Sequence, residues 1–500
     1  MGIKSQPLEK QQGFVALLFM LTFIALIGYV GIRILDKPQE GEVSDEIAYT
    51  RLQQVRSAII ASVTAETVHI GMIQYMPDAR GEDGNYDGSA ESGCLYVGYV
   101  NGSLLESFVS RLDNLRCIGK FPWRSHGLNF GTVSEGDVMG QIPWVMYSNN
   151  LIAPWNCMIH RTPLMLGEQY DSEPGIRCDL GTPNIPFKWI TLYDRLGHLI
   201  SDEIAVILIM PGRPMPGQTR TDITPLPALP VGTNEARAYL DRLQVTIANP
   251  AANPIIVNNW NQLIAQPRFI AGTPRFKGGD KEPGYVQPMA FNDRILAMSA
   301  DEFYGELEKF ALAVIQKALT KHKQRYGYYP WAVALTTPNT LNNNDNDPDN
   351  QGEVNVTAGR LPFGAIYKVL TDGSHPDTQD MALANQFDSL ALTGWLDYFF
   401  YAVAEGCTPI THCDGPTKLT VGHNTAVNGI LIGPGRSLNK TPLNYPASKG
   451  TAQKRITGMT LSTDWRDYLD GAATNPANSQ YEDINHPQTP NYNDKIYILP

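Results

Sequence analysis

The chain has 500 residues, 43% hydrophobic and 18% charged, which fits globular domains with material for a core and excludes a disordered polar chain. Its formal net charge of -11 and pI near 5.3 disfavour phosphate backbones, so sequence-independent nucleic-acid binding is not expected. The length suggests two or three domains.

Residues 1–13 are a short polar leader carrying Lys4, Glu9 and Lys10, and they end in Gln11-Gln12-Gly13. From Phe14 to Leu35 only Thr22 and Arg33 are strongly polar. As a helix, this run would rise about 33 Å, enough to span a bilayer. A secretory signal peptide would have a shorter apolar run with a small-residue cleavage site after it. Here the polar segment and its glycine come first. Lys4 and Lys10 before the run balance Arg33 and Lys37 after it, so the positive-inside rule gives no orientation. The six cysteines all lie beyond residue 90, and an even number suits an oxidising compartment, so residues after the helix are expected to be exported.

The polar leader, Gly13, the aromatic Phe14 and the uninterrupted apolar run resemble a type IV prepilin. The resemblance implies a prepilin peptidase as partner, cleavage between Gly13 and Phe14, and methylation of the new Phe14 amine. It also implies that the helix 14–35 stays in the inner membrane until other pilins or pseudopilins take it up. Type IV pilins usually carry glutamate at the fifth mature position, which is Leu18 here. Its absence is shared with the tip pseudopilin of type II secretion and with some minor pilins, and so points to an accessory subunit.

Residues 36–43 read as a linker, because Pro38 and Gly41 interrupt helices. Ser44 is a candidate N-cap, followed by Leu52, Val55, Ile59 and Val63 at helical spacing, which predicts a helix to about Ile73. Ile204 to Met210 predicts a buried strand ended by Pro211-Gly212. The pattern of the chain then restarts. Ser299-Ala-Asp-Glu302 matches a capping box, and Phe303, Leu307, Phe310, Val314 and Ala318 predict a helix ending near Tyr326-Gly327.

Further matches keep the same order. Gly119-Lys-Phe-Pro-Trp123 resembles Gly359-Arg-Leu-Pro-Phe363, and Pro143-Trp-Val-Met-Tyr147 resembles Gly394-Trp-Leu-Asp-Tyr398. Ala205 to Gly212 resembles Asn428 to Gly435, and Ala238-Tyr-Leu-Asp241 resembles Asp467-Tyr-Leu-Asp470. Phe291-Asn-Asp-Arg-Ile-Leu296 resembles Tyr492-Asn-Asp-Lys-Ile-Tyr497. The reading is α+β: an N-terminal transmembrane helix, then two tandem modules at 44–298 and 299–500. Each module is a helix packed on a mainly antiparallel sheet. That arrangement resembles the pilin head, and the motif order resembles large-headed prepilin-like proteins.

Asp83-Gly-Asn85-Tyr-Asp87-Gly88 matches the first half of a calcium loop, with Glu91 as a further oxygen ligand and Cys94 where the last glutamate belongs. Asp345, Asp347 and Asp349 repeat the alternation in the second module, with Glu353 following. A solvated Asn/Asp-rich loop is the plainer alternative for both. Pairing of sequence neighbours would join Cys94 to Cys117, Cys157 to Cys178 and Cys407 to Cys413, one among many connectivities. Cys407, His412 and Cys413 lack a second ligand pair at zinc spacing, so a short disulfide loop is the better reading.

Gly433 to Thr441 departs from a P-loop at Pro434 and Asn439, and no H-E-x-x-H or G-x-S-x-G motif occurs. Asn292-Asp293-Arg294 and Asn493-Asp494-Lys495 read as closing turns or ion pairs, and Trp123, Trp144, Trp331 and Trp395 as core anchors.

The chain is therefore expected to be a non-enzymatic, single-pass inner-membrane subunit with a periplasmic head. Its place would be minor, at the tip, or adhesive, in a type IV pilus or type II secretion pseudopilus, and on an extracellular filament once assembled. The alternatives are a signal-anchored periplasmic enzyme and a calcium-dependent surface-binding protein.

Overall fold

A computed structural model describes residues 45–65, 73, 118–129, 142–148, 151, 189–194, 196–211, 239–240, 245–247, 255–257, 259, 268–271, 293–336, 353–436, 456–457, 460–461, 463–469, 479–483 and 494–500. The leader, the apolar run 14–35 and the linker lie outside these residues. Among the described residues no helix is long and apolar enough to cross a membrane.

Helix α1 (Asp45–Ala65) buries Ala48, Leu52, Val55, Ile59 and Val63 completely, the stripe that 3.6-residue periodicity demands. Each large member contributes about 1.5–3 kcal/mol by leaving water. The described helix runs to Ala65, and Ile73, near the expected end, is not helical. Thr64, in the last described turn, turns its hydroxyl back to the carbonyls of Ile60 and Ala61.

The first sheet contains β1 (Ile118–Lys120), β2 (Trp144–Tyr147), β3 (Ile190–Tyr193), β4 (Leu199–Met210), β7 (Arg268–Ile270) and β8 (Arg294–Ser299). A separate hairpin joins β5 (Val245–Ile247) to β6 (Ile255–Val257). The buried half of β4 runs between β2 and β8, antiparallel to both, and its outer half pairs with β3. Side chains alternate between two cores. Val145, Tyr147, Leu208 and Met210 face α1, whereas Trp144, Met146, Ile207 and Ile209 join Tyr239, Leu240 and Phe269 on the other face. The register against β8 shifts between Ile204 and Val206, which places Ala205 and Val206 on the same core.

Helix α2 (Ala300–Tyr326) follows β8 without a break. Ser299 caps it by accepting the Glu302 amide at 3.1 Å, and Gly327 ends it at φ 79° with its amide on Lys323 O. The second sheet orders β9 (Ala358–Arg360), β10 (Phe400–Val403), β13 (Gly429–Gly433) and β17 (Lys495–Ile498), every pair antiparallel. The first sheet orders β1, β2, β4 and β8 in the same way.

Registers correspond as well. Leu208 lies between Val145 and Leu296, as Leu431 lies between Tyr401 and Tyr497. Gly119 faces Val145, as Gly359 faces Tyr401.

Two expectations are corrected here. The counterpart of Trp144–Tyr147 is Phe400–Val403, and not the segment Gly394–Tyr398, which forms the one-turn helix α5 (Trp395–Tyr398). The second half is also more than one helix and a sheet. Between β9 and β10 it inserts α3 (Phe363–Thr371), α4 (Met381–Leu392) and α5. Phe363, Ile366 and Leu370, then Leu383, Phe387 and Leu390, supply the helical spacing that buries them. Smaller pieces complete the structure: a sheet of β11 (Leu419–Val421), β12 (Asn424–Val427) and β16 (Gln480–Tyr481), and a hairpin of β14 (Ile456–Thr457) with β15 (Thr460–Leu461).

The halves share one core. A single buried cluster holds the α1 stripe, Leu208 and Met210 of the first sheet, the α2 stripe, and Tyr401 and Leu431 of the second. Trp144, Trp331 and Trp395 are buried, and Trp123 packs half-buried against this cluster.

Candidate functional site

Gly13 and Phe14 lie outside the described residues, as do Asp83, Asn85, Asp87, Glu91, Asp345, Asp347 and Asp349. So do Cys94, Cys117, Cys157 and Cys178. Glu353 is described, and its carboxylate accepts the backbone amide of Ala334 at 2.9 Å. Among the described residues no group of three His, Cys, Asp or Glu side chains could hold a metal ion.

Cys407 and Cys413 are joined as a disulfide. Cys407 is buried in a short 3-10 turn (Glu405–Cys407), and its carbonyl accepts the Tyr329 amide at 3.2 Å. Lys418 Nζ donates to Cys413 O at 3.1 Å. His412 and Cys413 both have positive φ, 50° and 62°, and His412 meets the Tyr328 ring edge-on at 5.0 Å. The bridge thus pins this loop against the segment that leaves α2.

One group of described polar side chains comes together where the halves meet. Arg436, beyond β13, donates through Nη2 to Glu203 of β4 at 2.5 Å and through Nη1 to Asp301 of α2 at 2.9 Å. Arg56 of α1 donates through Nε and Nη2 to one oxygen of Glu302. Glu302 was expected to close the capping box by reaching back toward Ser299; its carboxylate meets Arg56 instead. Deeper in, Glu308 is buried on α2 and accepts from Lys495 Nζ at 2.6 Å and Tyr497 Oη at 3.0 Å. Burial, then the Glu308 charge, pushes the Tyr497 phenol well above its usual range. Gly433 makes room: a Cβ there would stand 2.6 Å from Glu308 Oε1.

The basic face of α2 holds the connection from α3 to α4. Lys317 pairs with Asp380, Lys321 with the Asp377 carbonyl, and Arg325 with Asp372. The hydrogen bond from the Ser374 hydroxyl, then that from Arg325, holds the Asp372 carboxyl well below the usual carboxylate range.

Asp293 of the first triplet meets Asn259, whose Nδ2 donates to this fully buried carboxylate at 3.3 Å and whose Oδ1 accepts from the Ile270 amide. Asp494, at the matching place before β17, is also buried. The two Tyr-Leu pairs play matching parts. Tyr239 packs on Trp144 at 5.4 Å between ring centroids, and Tyr468 packs on Phe400 at 5.0 Å. Trp144 and Phe400 hold the same register position in their sheets.

Arg56, Glu203, Glu308 and Arg436 were not singled out from sequence. Glu308 alone carried a signal, an acid in line with the apolar residues Tyr304, Leu307 and Ala311. The chain matches no protein family, no curated protein and no solved structure.

Proposed function

We propose that this chain is a membrane-anchored, prepilin-like subunit with two tandem pilin-like modules, serving as a minor, tip or adhesive component of a type IV pilus or type II secretion pseudopilus. The observation that carries this reading is the order of polar leader, Gly13, Phe14 and unbroken apolar run to Leu35. The fold supports it: an amphipathic helix lies on a mainly antiparallel sheet, and the order of four antiparallel strands recurs in the second half. In a membrane the run 14–35 is covered by lipid; in a filament neighbouring apolar helices cover the same surface. Leu18 removes the usual fifth-position carboxylate, and a head of this size suits an end or accessory position better than a repeating shaft.

Prepilin peptidase would cut after Gly13, and the head would face the periplasm. N-terminal sequencing of the mature protein tests this: Phe14 at the terminus, lost in Gly13→Val, is the expected result. A mature protein that begins at Met1 rejects it. Calcium at Asp83, Asn85 and Asp87, and at Asp345, Asp347 and Asp349, belongs to the same proposal, and a melting temperature indifferent to chelator would remove that part.

A further inference from the structure

Asn355 occupies the exposed turn 353–355 between α2 and β9, with φ at 68°, a conformation asparagine tolerates better than most residues. The turn is held to the core from several sides. Val356 N donates to Glu353 O at 3.0 Å, Ala332 N to Val356 O at 2.8 Å, and Glu353 N to Ala332 O at 3.2 Å. The Glu353 side chain is fixed on the Ala334 amide. Asn355 therefore stands on a fixed platform while remaining open to solvent. Beside it Val354 is 63% exposed, one of the few large apolar side chains in water among the described residues.

The residues here read Glu353-Val354-Asn355-Val356-Thr357. Asn-x-Thr with a non-proline centre is the acceptor signal for N-linked glycans, which are bulky and need a surface turn on an exported chain. Two other Asn-x-Ser/Thr triplets, at Asn101 and Asn439, lie outside the described residues.

We infer that Asn355 is a site of N-glycosylation, taking an oligosaccharide from a lipid-diphosphate-linked donor. Asn355 Nδ2 forms the bond to the anomeric carbon and gives up one proton. The bond from that carbon to the diphosphate oxygen breaks, and the lipid diphosphate leaves with the electron pair. The attached sugar would also screen Val354 from water.

The inference rests on export of the head, so the test reads export separately. The full chain is taken from its native host, digested and analysed by mass spectrometry, while protease is applied to spheroplasts. The expected result is an Asn355 peptide heavier by a sugar chain, with the increment lost in Asn355→Gln and Thr357→Ala and kept in Thr357→Ser. A protease-accessible head with Asn355 wholly unmodified overturns the site alone. A head protected from protease overturns the export reading and the site with it.

Discussion

Arg56 and Glu302 stand 246 positions apart, yet two guanidinium nitrogens of Arg56 close on one carboxylate oxygen of Glu302. The pair ties the middle of α1 to the first turn of α2 and so crosses from one half of the chain to the other. Both side chains are part-exposed, which limits the pair to about 0.5–1 kcal/mol. A double-mutant cycle with Arg56→Ala and Glu302→Ala in urea should return a coupling of that size, smaller at high salt. Strictly additive single effects would show that the pair contributes nothing.

Gly359 has no room for a side chain. A Cβ there would lie 1.9 Å from the Val333 carbonyl oxygen, and Val333 and Arg360 exchange backbone hydrogen bonds across that contact. Gly359→Ala must push β9 and the Val333 segment apart. The expected cost is about 1–3 kcal/mol, read as a lower denaturant midpoint. Gly305→Ala is the control, since nothing lies within 4 Å of its Cβ position.

His126 stacks on Phe121 at 4.6 Å, and burial pushes its imidazole down to about 4, against a hydrogen bond with the Ala58 backbone that raises it. The folded value is thus below the unfolded value near 6.5, and the unfolded chain binds the extra proton first. Stability from this group is complete above about 6.5 and is lost as pH falls toward about 4. His126→Phe keeps a stacking ring and should flatten the stability profile in that window. An unchanged slope in the variant would assign the acid sensitivity elsewhere.

The bridge between Cys407 and Cys413 closes a small loop, for which chain entropy predicts about 2 kcal/mol of stabilisation. Cys407→Ser with Cys413→Ser should lower the melting temperature and free the loop from Tyr328. Non-reducing peptide mapping checks the pairing directly, and a peptide linking either cysteine to another partner would contradict it.

Local signals were legible where one residue's chemistry decides the outcome. Ser299 and Gly327 announced both ends of α2, and the apolar runs of β4 and β13 announced the central strands. Arg294 and Lys495, which end the aligned triplets, open β8 and β17 at matching register positions. Gly394 to Tyr398 misled because a short apolar run cannot distinguish a strand from one helical turn. The partner of Glu302 was invisible because local sequence favours a nearby amide, and only the tertiary fold brings Arg56 within reach. Phe363, Ile366, Leu383 and Phe387 carry the period of α3 and α4, but short apolar runs between two strands do not by themselves distinguish inserted helices from further strands.

The stripe of α1 also sets a load path. Tension arriving from the N-terminal side enters the head at Asp45, the first residue of that helix. Because Leu52, Val55, Ile59 and Val63 are sealed into the cluster that includes both sheets, the force spreads at once into both halves. Extracting the helix would mean shearing every one of these contacts together with the Arg56 tether, so the described parts of the two halves should yield to pulling together.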